Sequence, residues 1–216
     1  MLNLFLIGAS SGIGKGLAPL LKEKYNVFEI SSSVMDIAKK EQVENYFSDK
    51  KIDIVVNLAA YNHDSVVHKI DCHDSTQLQK SIDVNIKGTI NLLTTIIPKM
   101  RQNGYGRYIY SSSVVVDSPV IGTGIYAACK SFNESLVKTS ALESSKYDVT
   151  FNSLQLGYFD AGLFHRISDK LQEQIINSIP SRRLGKIVEI YNAINFIVET
   201  PYYNGGTLKI NGCLSL

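Results

Sequence analysis

Apolar, strand-like runs alternate with helix-like segments along the whole chain. The predicted strands are residues 2–7, 27–30, 52–57, 107–111, 149–154 and 207–210, and the predicted helices are residues 13–22, 40–47, 74–100, 126–144, 168–178 and 187–199. Several of the strand-like runs are almost continuously apolar or β-branched, which is typical of strands buried on both faces of a parallel sheet. Alternation with short links predicts an α/β fold, namely a doubly wound parallel sheet of the Rossmann-like kind.

The length and composition fit one domain. The chain has 216 residues, of which 44% are hydrophobic, and this is enough to bury a core of single-domain size. No low-complexity tract or polar linker divides it, so we predict one domain over residues 1–216. Only about ten residues, 31–40, connect the second strand to the next helix. A crossover normally needs about a dozen residues or more, so we expect a shortened crossover at this point.

Charge and cysteine content exclude several classes of protein. The net charge is +2, with 22 basic and 20 acidic residues, so nothing favours nucleic acid as the main partner. No apolar run approaches the roughly 18 residues of a spanning helix, and we expect no membrane partner. Cys72, Cys129 and Cys213 are odd in number and show no C-x-x-C spacing. This pattern indicates a reducing, cytoplasmic location without a disulfide framework or a metal site.

A glycine-rich turn follows the first predicted strand and opens the first predicted helix. It reads Gly8-Ala9-Ser10-Ser11-Gly12-Ile13-Gly14. Glycines allow positive φ and remove the Cβ that would block close approach of a ligand. The following helix N-terminus offers free N–H groups and positive potential to a pyrophosphate. The G-x-x-x-G-x-G spacing differs from the general dinucleotide fingerprint. An ordinary strand–helix turn is the alternative, but the position between strand and helix favours a dinucleotide site.

A tyrosine and a lysine stand four residues apart on the predicted helix 126–144. Tyr126 and Lys130 therefore share one helix face, and Ser113 lies thirteen residues before the tyrosine. A neighbouring ammonium favours the phenolate and lowers the pKa of a tyrosine. Such a tyrosine exchanges a proton with a carbonyl or alcohol oxygen, and the serine hydroxyl adds a second hydrogen bond to that oxygen.

Together these residues resemble the short-chain dehydrogenase/reductase family, in its single-domain branch with the Tyr-x-x-x-Lys signature. The matches run in order along nearly the whole chain: the glycine motif, the run Asn57-Leu58-Ala59-Ala60, Asn85, Ser113, Tyr126, Lys130 and the segments 152–157, 183–186 and 206–212. The C-terminal third is most similar to 3-oxoacyl-(acyl-carrier-protein) reductases.

The resemblance implies a role for each of four catalytic residues. Tyr126 is the general acid in reduction and the base in oxidation. Lys130 lowers the pKa of the tyrosine and binds the nicotinamide ribose. Ser113 holds the substrate oxygen, and Asn85 places a water that connects the lysine to solvent. The hydride belongs to the nicotinamide cofactor.

The resemblance also implies a set of cofactor-binding residues: Gly8, Ser10, Ser11, Gly12, Ile13, Gly14, Ser31, Ser32, Asp36, Ile37, Asn57, Ala59, Tyr126, Lys130, Gly157 and Phe159. Leu156 replaces the usual proline, and Ala161 stands where a threonine often contacts the nicotinamide carboxamide. Asp36 matches an acidic residue that touches the adenine amine in relatives. A helix N-cap is the alternative role for Asp36.

The end of the second strand favours NADP(H) over NAD(H). NAD-specific proteins carry an acidic residue there, bound to the ribose 2′-hydroxyl. In this chain Glu29 falls inside the strand, and the strand is followed by Ser31-Ser32-Ser33. These hydroxyls offer donors and no repelling carboxylate to a 2′-phosphate.

The expected substrate is a small molecule that carries a carbonyl or a secondary alcohol. The segments 61–68, 114–123 and 158–165 should line its pocket, and they mix apolar with polar residues. Either a 3-oxoacyl thioester or a keto-sugar would fit such a mixture. The leading prediction is an NAD(P)-dependent oxidoreductase. A non-catalytic cofactor-binding sensor or scaffold and a sugar epimerase are the alternatives. A homo-dimer or homo-tetramer is expected from the resemblance.

Overall fold

A computed structural model describes residues 1–70 and 75–216 of the chain. The strands are β1 (Asn3–Ile7), β2 (Asn26–Ile30), β3 (Ile54–Asn57), β4 (Gly106–Ser113), β5 (Val149–Leu156) and β6 (Thr207–Ile210). The α-helices of the described residues are α1 (Gly12–Lys22), α2 (Lys40–Phe47), α3 (Ser75–Ile82), α4 (Gly88–Asn103), α5 (Gly124–Ser144), α6 (Asp169–Ser178) and α7 (Ile187–Glu199). All the predicted strands and helices are confirmed, with ends that differ by a few residues. The first residue of the predicted helix 74–100, and Cys72, lie outside the described residues.

The strands form one parallel sheet in the order β2-β1-β3-β4-β5-β6. The chain moves from β1 to β2 on one side and then returns to place β3 on the other side of β1. The carboxyl ends of β1 and β3 therefore form a topological switch point, where open α/β sheets bind their ligands. The doubly wound, Rossmann-like prediction is confirmed.

The shortened crossover after β2 is also confirmed. The residues between β2 and α2 form turns without a helix. In the common dinucleotide-binding order 3-2-1-4-5-6, a third strand lies outside the second. Here the third strand pairs with β1 instead, so β2 is the edge of the sheet. The adenosine side of the switch point is consequently bounded by a short loop.

Alternating side chains of the strands supply two hydrophobic cores, one on each face of the sheet. Phe5 and Ile7 of β1 pack with residues of α2, α4 and α5. Leu4 and Leu6 pack on the opposite face with residues of α1 and α7. This double burial fixes the register of the sheet, because a slip of one residue would exchange the two faces.

Two matched substitutions test this arrangement. Leu17 of α1 is fully buried, whereas Leu142 of α5 is 82% exposed. Leu17→Ala should lower the free energy of unfolding by about 2–5 kcal/mol, because it leaves a cavity. Leu142→Ala should change it by no more than about 0.5 kcal/mol. Urea denaturation of both variants measures this, and equal losses would contradict the packing.

Candidate active site

The glycine-rich turn is held by contacts that only small residues allow. Gly8 has φ 83°, and its N–H donates to the carbonyl of Ile30 at 2.8 Å. Ser11 caps α1, and its hydroxyl accepts the N–H of Gly14 at 2.9 Å. A Cβ on Gly14 would lie 2.5 Å from the carbonyl oxygen of Gly8. Gly12 and Ile13 stand in the first turn of α1, where backbone N–H groups have no acceptor within the helix, as an anion site requires.

A cavity of about 340 Å³ opens beside this turn at the carboxyl ends of β1, β2 and β3. Many of the predicted cofactor-binding residues line it: Gly8, Ser10, Ser11, Ser31, Ser32, Asp36, Ile37 and Ala59. The cradle of glycines, the serine hydroxyls and the position at the switch point fit the adenosine half of a dinucleotide.

The cavity also contains residues that sequence reasoning missed. They are Ile7, Ile30, Met35, Leu58, Ala60, Tyr61, Lys80 and Val84. Leu58 and Ala60 flank predicted residues and could have been found by adjacency. Lys80 and Val84 come from the long helix that crosses the site, and no local motif marks them. Lys80 and Asp36 are the charged members of the lining among the described residues.

Asp36 has a local structural role besides lining the cavity. Its Oδ1 accepts the N–H of Ala38 at 3.0 Å. The N-cap of α2 is Lys39, which makes no side-chain cap. The alternative interpretation of Asp36 as a helix N-cap is therefore wrong, and a contact with an adenine stays a prediction.

Several predicted cofactor-binding residues do not line the cavity. Asn57 is fully buried and donates to the hydroxyl of Tyr108 at 3.1 Å, so it braces β3 against β4. The ring of Phe159 packs against Gly185 in the core. The ring of Phe159 is thus used in the core, and only its backbone is left to contact a cofactor. That contact stays a prediction.

The loop after β5 covers the far end of the glycine turn. A Cβ on Gly12 would lie 2.3 Å from the Cα of Gly162. A Cβ on Gly157 would lie 2.8 Å from the Cα of Asn211. These backbone segments therefore lie in direct contact. The open cavity thus corresponds to the adenosine half of the predicted cofactor site.

The predicted catalytic residues come together where α5 packs against the end of β4. Ser113 is the last residue of β4. Lys130 is buried and donates a hydrogen bond to the carbonyl of Ser111. Its Nζ lies 5.3 Å from the ring centroid of Tyr126 and 4.7 Å from that of Tyr110. The predicted pairing of the tyrosine with the lysine is present.

The electrostatics of this pair differ from the prediction. Burial raises the pKa of Tyr126 to about 12, and the carboxylate of Asp64 adds to the increase. Burial also lowers the pKa of Lys130 to about 7. The prediction of a lowered tyrosine pKa is wrong for this structure, because burial disfavours the phenolate and is the largest cause that acts on Tyr126. Tyr126 is consequently protonated at neutral pH and able to donate a proton.

Asn85 lies in a π-helical stretch, Asp83–Lys87, between α3 and α4. Such stretches are frequent at functional sites. Its side chain holds the backbone of Tyr61 through two hydrogen bonds, at 2.9 and 2.7 Å. Its carbonyl accepts from the side chains of Asn133 at 2.7 Å and Thr89 at 3.0 Å. Both groups of Asn85 are thus engaged within the protein, and the water relay stays a prediction.

Two of the three segments predicted to line the substrate pocket are in contact. The N–H of Ser65 donates to the carbonyl of Gly122 at 2.9 Å, which joins two of the segments. Asp117 instead pairs with Lys209 at 2.7 Å. In the third segment, Nε2 of the exposed His165 lies 3.0 Å from Oδ1 of the exposed Asp160.

The described parts of the chain give two further results. No group of three or more histidine, cysteine or acidic side chains in residues 1–70 and 75–216 is arranged to hold a metal ion. No helix in the same ranges combines the length and apolar character that crossing a membrane requires.

Comparisons with known proteins agree with this fold. A profile of the family described as enoyl-(acyl carrier protein) reductase matches residues 14–215. A 3-oxoacyl-(acyl-carrier-protein) reductase of Rickettsia felis is 28% identical over 97% of this chain and 85% of its own length. A protein of the same name from Staphylococcus aureus strain Mu50 is 29% identical over 97% of this chain and 96% of its own length.

Two solved structures share the fold. A 3-oxoacyl-(acyl-carrier-protein) reductase of Brucella melitensis has a TM-score of 0.90 at 20% identity, covering 100% of this chain and 91% of the other. An NAD⁺-bound xylitol dehydrogenase has a TM-score of 0.86 at 21% identity, covering 98% of both chains.

The fold and the site define an NAD(P)-dependent oxidoreductase with a doubly wound sheet. With a profile match over nearly its whole length, the chain belongs to the enoyl-(acyl carrier protein) reductase family, within the short-chain dehydrogenases/reductases.

Two glycines of α1 offer a matched test of the cofactor turn. Gly14→Ala should weaken NADPH binding at least about tenfold, because the new Cβ meets backbone atoms and displaces the turn. A Cβ on Gly16 would meet only the side chain of Ile187, at 3.0 Å. Gly16→Ala should therefore keep the affinity within about twofold. Calorimetric titration measures both, and an unchanged affinity in Gly14→Ala would place the dinucleotide elsewhere.

Proposed function

We propose that this protein reduces a carbonyl group to a secondary alcohol with NADPH. The observation that carries the proposal is the pair of the half-buried Tyr126 and the buried Lys130 at the carboxyl end of β4. That end of the sheet is also where the glycine turn and its cavity lie. The site thus combines a proton donor with a dinucleotide cradle on one edge of the sheet.

In the proposed reaction the bound nicotinamide supplies the hydride. Tyr126 holds its proton at neutral pH and donates it to the substrate oxygen. The hydroxyl of Ser113 donates a second hydrogen bond to that oxygen. Lys130 binds the nicotinamide ribose and supplies positive charge beside the tyrosine.

The named relatives support a 3-oxoacyl thioester as the substrate. One observation favours a hydroxylated ketone instead. The carboxylate of Asp64 lies close enough to Tyr126 to raise its pKa, and a carboxylate there accepts hydrogen bonds from substrate hydroxyls. The matching family profile adds reduction of an enoyl thioester as a third possibility. This last reaction delivers the proton to carbon rather than to oxygen.

Tyr126→Phe tests the assignment of the acid. The ring remains and only the hydroxyl is lost, so NADPH binding should be unchanged while turnover falls at least about 100-fold. NADPH oxidation is followed with acetoacetyl thioester, crotonyl thioester and a panel of keto-sugars, and binding is measured by calorimetry.

The pattern of turnover selects the substrate class. Activity on the acetoacetyl thioester alone supports a 3-oxoacyl substrate, and activity on keto-sugars alone supports a role for Asp64. Saturable NADPH binding without turnover on any substrate would favour a sensor or scaffold. Full activity in Tyr126→Phe would contradict the proposed acid. Tightly retained cofactor together with sugar isomerisation would indicate an epimerase.

The preference for NADP(H) over NAD(H) rests on the charges around the cavity. Glu29 of β2 points to Lys22, with an O–N distance of 2.6 Å, and does not line the cavity. Ser31 and Ser32 line it and offer hydroxyls, and Lys80 adds a positive charge to the lining. The carboxylate of Asp36, the other charged group of the lining, already accepts the N–H of Ala38. The two serines and Lys80 therefore suit a 2′-phosphate better than they suit a bare 2′-hydroxyl.

Ser32→Asp should shift the preference toward NADH. A carboxylate at this position repels the 2′-phosphate, so the ratio of NADPH to NADH efficiency should fall at least about tenfold. Ser48→Asp adds the same charge at an exposed residue just after α2, outside the cavity lining, and should leave the ratio unchanged. An unchanged ratio in Ser32→Asp would show that another residue reads the ribose.

Self-association through α4 and α5 is part of the proposal. Ile90 of α4 and Phe132 of α5 are exposed apolar side chains on these helices. A second copy of the chain would cover them in a homo-dimer or homo-tetramer.

A further inference from the structure

A second charged side chain is buried behind Lys130. Glu134 follows it by one helical turn on the same face of α5, and it is only 7% exposed. The hydroxyl of Ser112 donates to its carboxylate, while the carbonyl of Ser111 accepts from Lys130. Two consecutive residues of β4 therefore anchor the ammonium and the carboxylate.

An ammonium buried without an opposite charge is strongly unfavourable. Among the described residues, the buried acidic side chains are Asp53 and Glu134. Oδ1 of Asp53 lies 3.2 Å from Nζ of Lys51, so Asp53 already has an opposite charge beside it. Glu134 has no salt bridge to a basic side chain within 4 Å in the described residues, but its charge opposes the loss of the proton from Lys130.

The other groups that face Lys130 do not supply this charge. From β4, the phenol of Tyr110 stays neutral because burial raises its pKa well above the ordinary value. From α5 itself, the Cys129 thiol comes before Glu134 among the groups that raise the pKa of Lys130. Burial raises the pKa of that thiol above its ordinary value, as it does for Tyr126, so both groups stay neutral where the lysine titrates. The π-helical stretch contributes the neutral Asn85. Asp64, on the loop after β3, acts on the tyrosine from the substrate side.

We propose that Glu134 is a positioning residue, the buried counter-charge that opposes deprotonation of Lys130 and so sets the pH range of the site. Asn133, the neighbouring residue, ties α5 to the carbonyl of Asn85 at 2.7 Å and to the hydroxyl of Tyr110 at 2.9 Å. These bonds hold the helix face in place, while Glu134 supplies the charge. This proposal rests on the proposed function. It concerns the protonation of Lys130, however, which can be measured without any substrate.

The test is a pH titration of Lys130 in cofactor-free protein. Lysine labelled with ¹³C at Cε reports its own protonation by NMR, and Lys130→Met identifies the signal. Glu134→Gln should lower the pKa of Lys130 by at least about one unit, because the stabilising charge is gone. Glu143→Gln makes the same change at an exposed carboxylate of α5 and should leave the pKa within about 0.3 unit.

The same variants then give the pH profile of carbonyl reduction. Its alkaline limb should move to lower pH in Glu134→Gln and not in Glu143→Gln, whereas a purely structural bond to Ser112 would lower the rate at every pH alike. An unchanged Lys130 titration in folded Glu134→Gln would overturn the proposal. If that variant does not fold, Glu134 labelled at Cδ in the wild type decides the question. Its signal should shift at the pH where Lys130 titrates, and no such shift would equally overturn the proposal.

Discussion

The contact between β4 and α5 positions every group that carries the proposed chemistry. Lys130 bonds to the carbonyl of Ser111, Glu134 accepts from Ser112, and Ser113 ends the same strand. Three consecutive backbone positions therefore set the lysine, its buried carboxylate and the substrate serine. Since buried polar groups are costly unless they are paired, the contact between β4 and α5 has little freedom to shift.

The rest of the fold holds the contact between β4 and α5 next to the predicted dinucleotide site. Double burial of the sheet fixes its register, and parallel strands bring all their carboxyl ends to one edge. The order in which strands are added to the sheet reverses at β1, and a crevice therefore opens between the carboxyl ends of β1 and β3. The shortened crossover leaves β2 at the sheet edge, so the adenosine side is formed by the turn 31–39 and by residues of the long helix 75–103.

Much of the fold follows from local sequence, whereas much of the site does not. Apolar runs on doubly buried strands and a glycine turn between strand and helix are local signals, and they predicted β1 and α1 to within a residue or so. The place of Lys80 in the cavity depends on how a distant helix crosses the sheet, and no spacing encodes it. The direction of the Tyr126 pKa depends on burial, which a Tyr-x-x-x-Lys spacing does not report. The pattern correctly predicted that the two side chains are neighbours, but it could not weigh desolvation against their attraction.

Asn85 illustrates the same limit. Its position in the sequence is that of a family active-site residue, yet its side chain is used to fix Tyr61 and its carbonyl is bound by Asn133. Helix spacing would have predicted neither contact, because both arise from the π-helical stretch and from the packing of α5. The hydrogen bonds of the polar residues behind Lys130 therefore depend on the assembled structure, and no local sequence pattern predicts them.

Direct hydride transfer tests the central claim most sharply. The protein would be mixed in excess with NADPH deuterated at nicotinamide C4 and with each candidate carbonyl compound, and the products of a single turnover analysed by mass spectrometry. The account predicts an alcohol that carries one deuterium on the carbinol carbon. Saturable cofactor binding without deuterium in any product would show that the site binds the dinucleotide and does not use it for reduction.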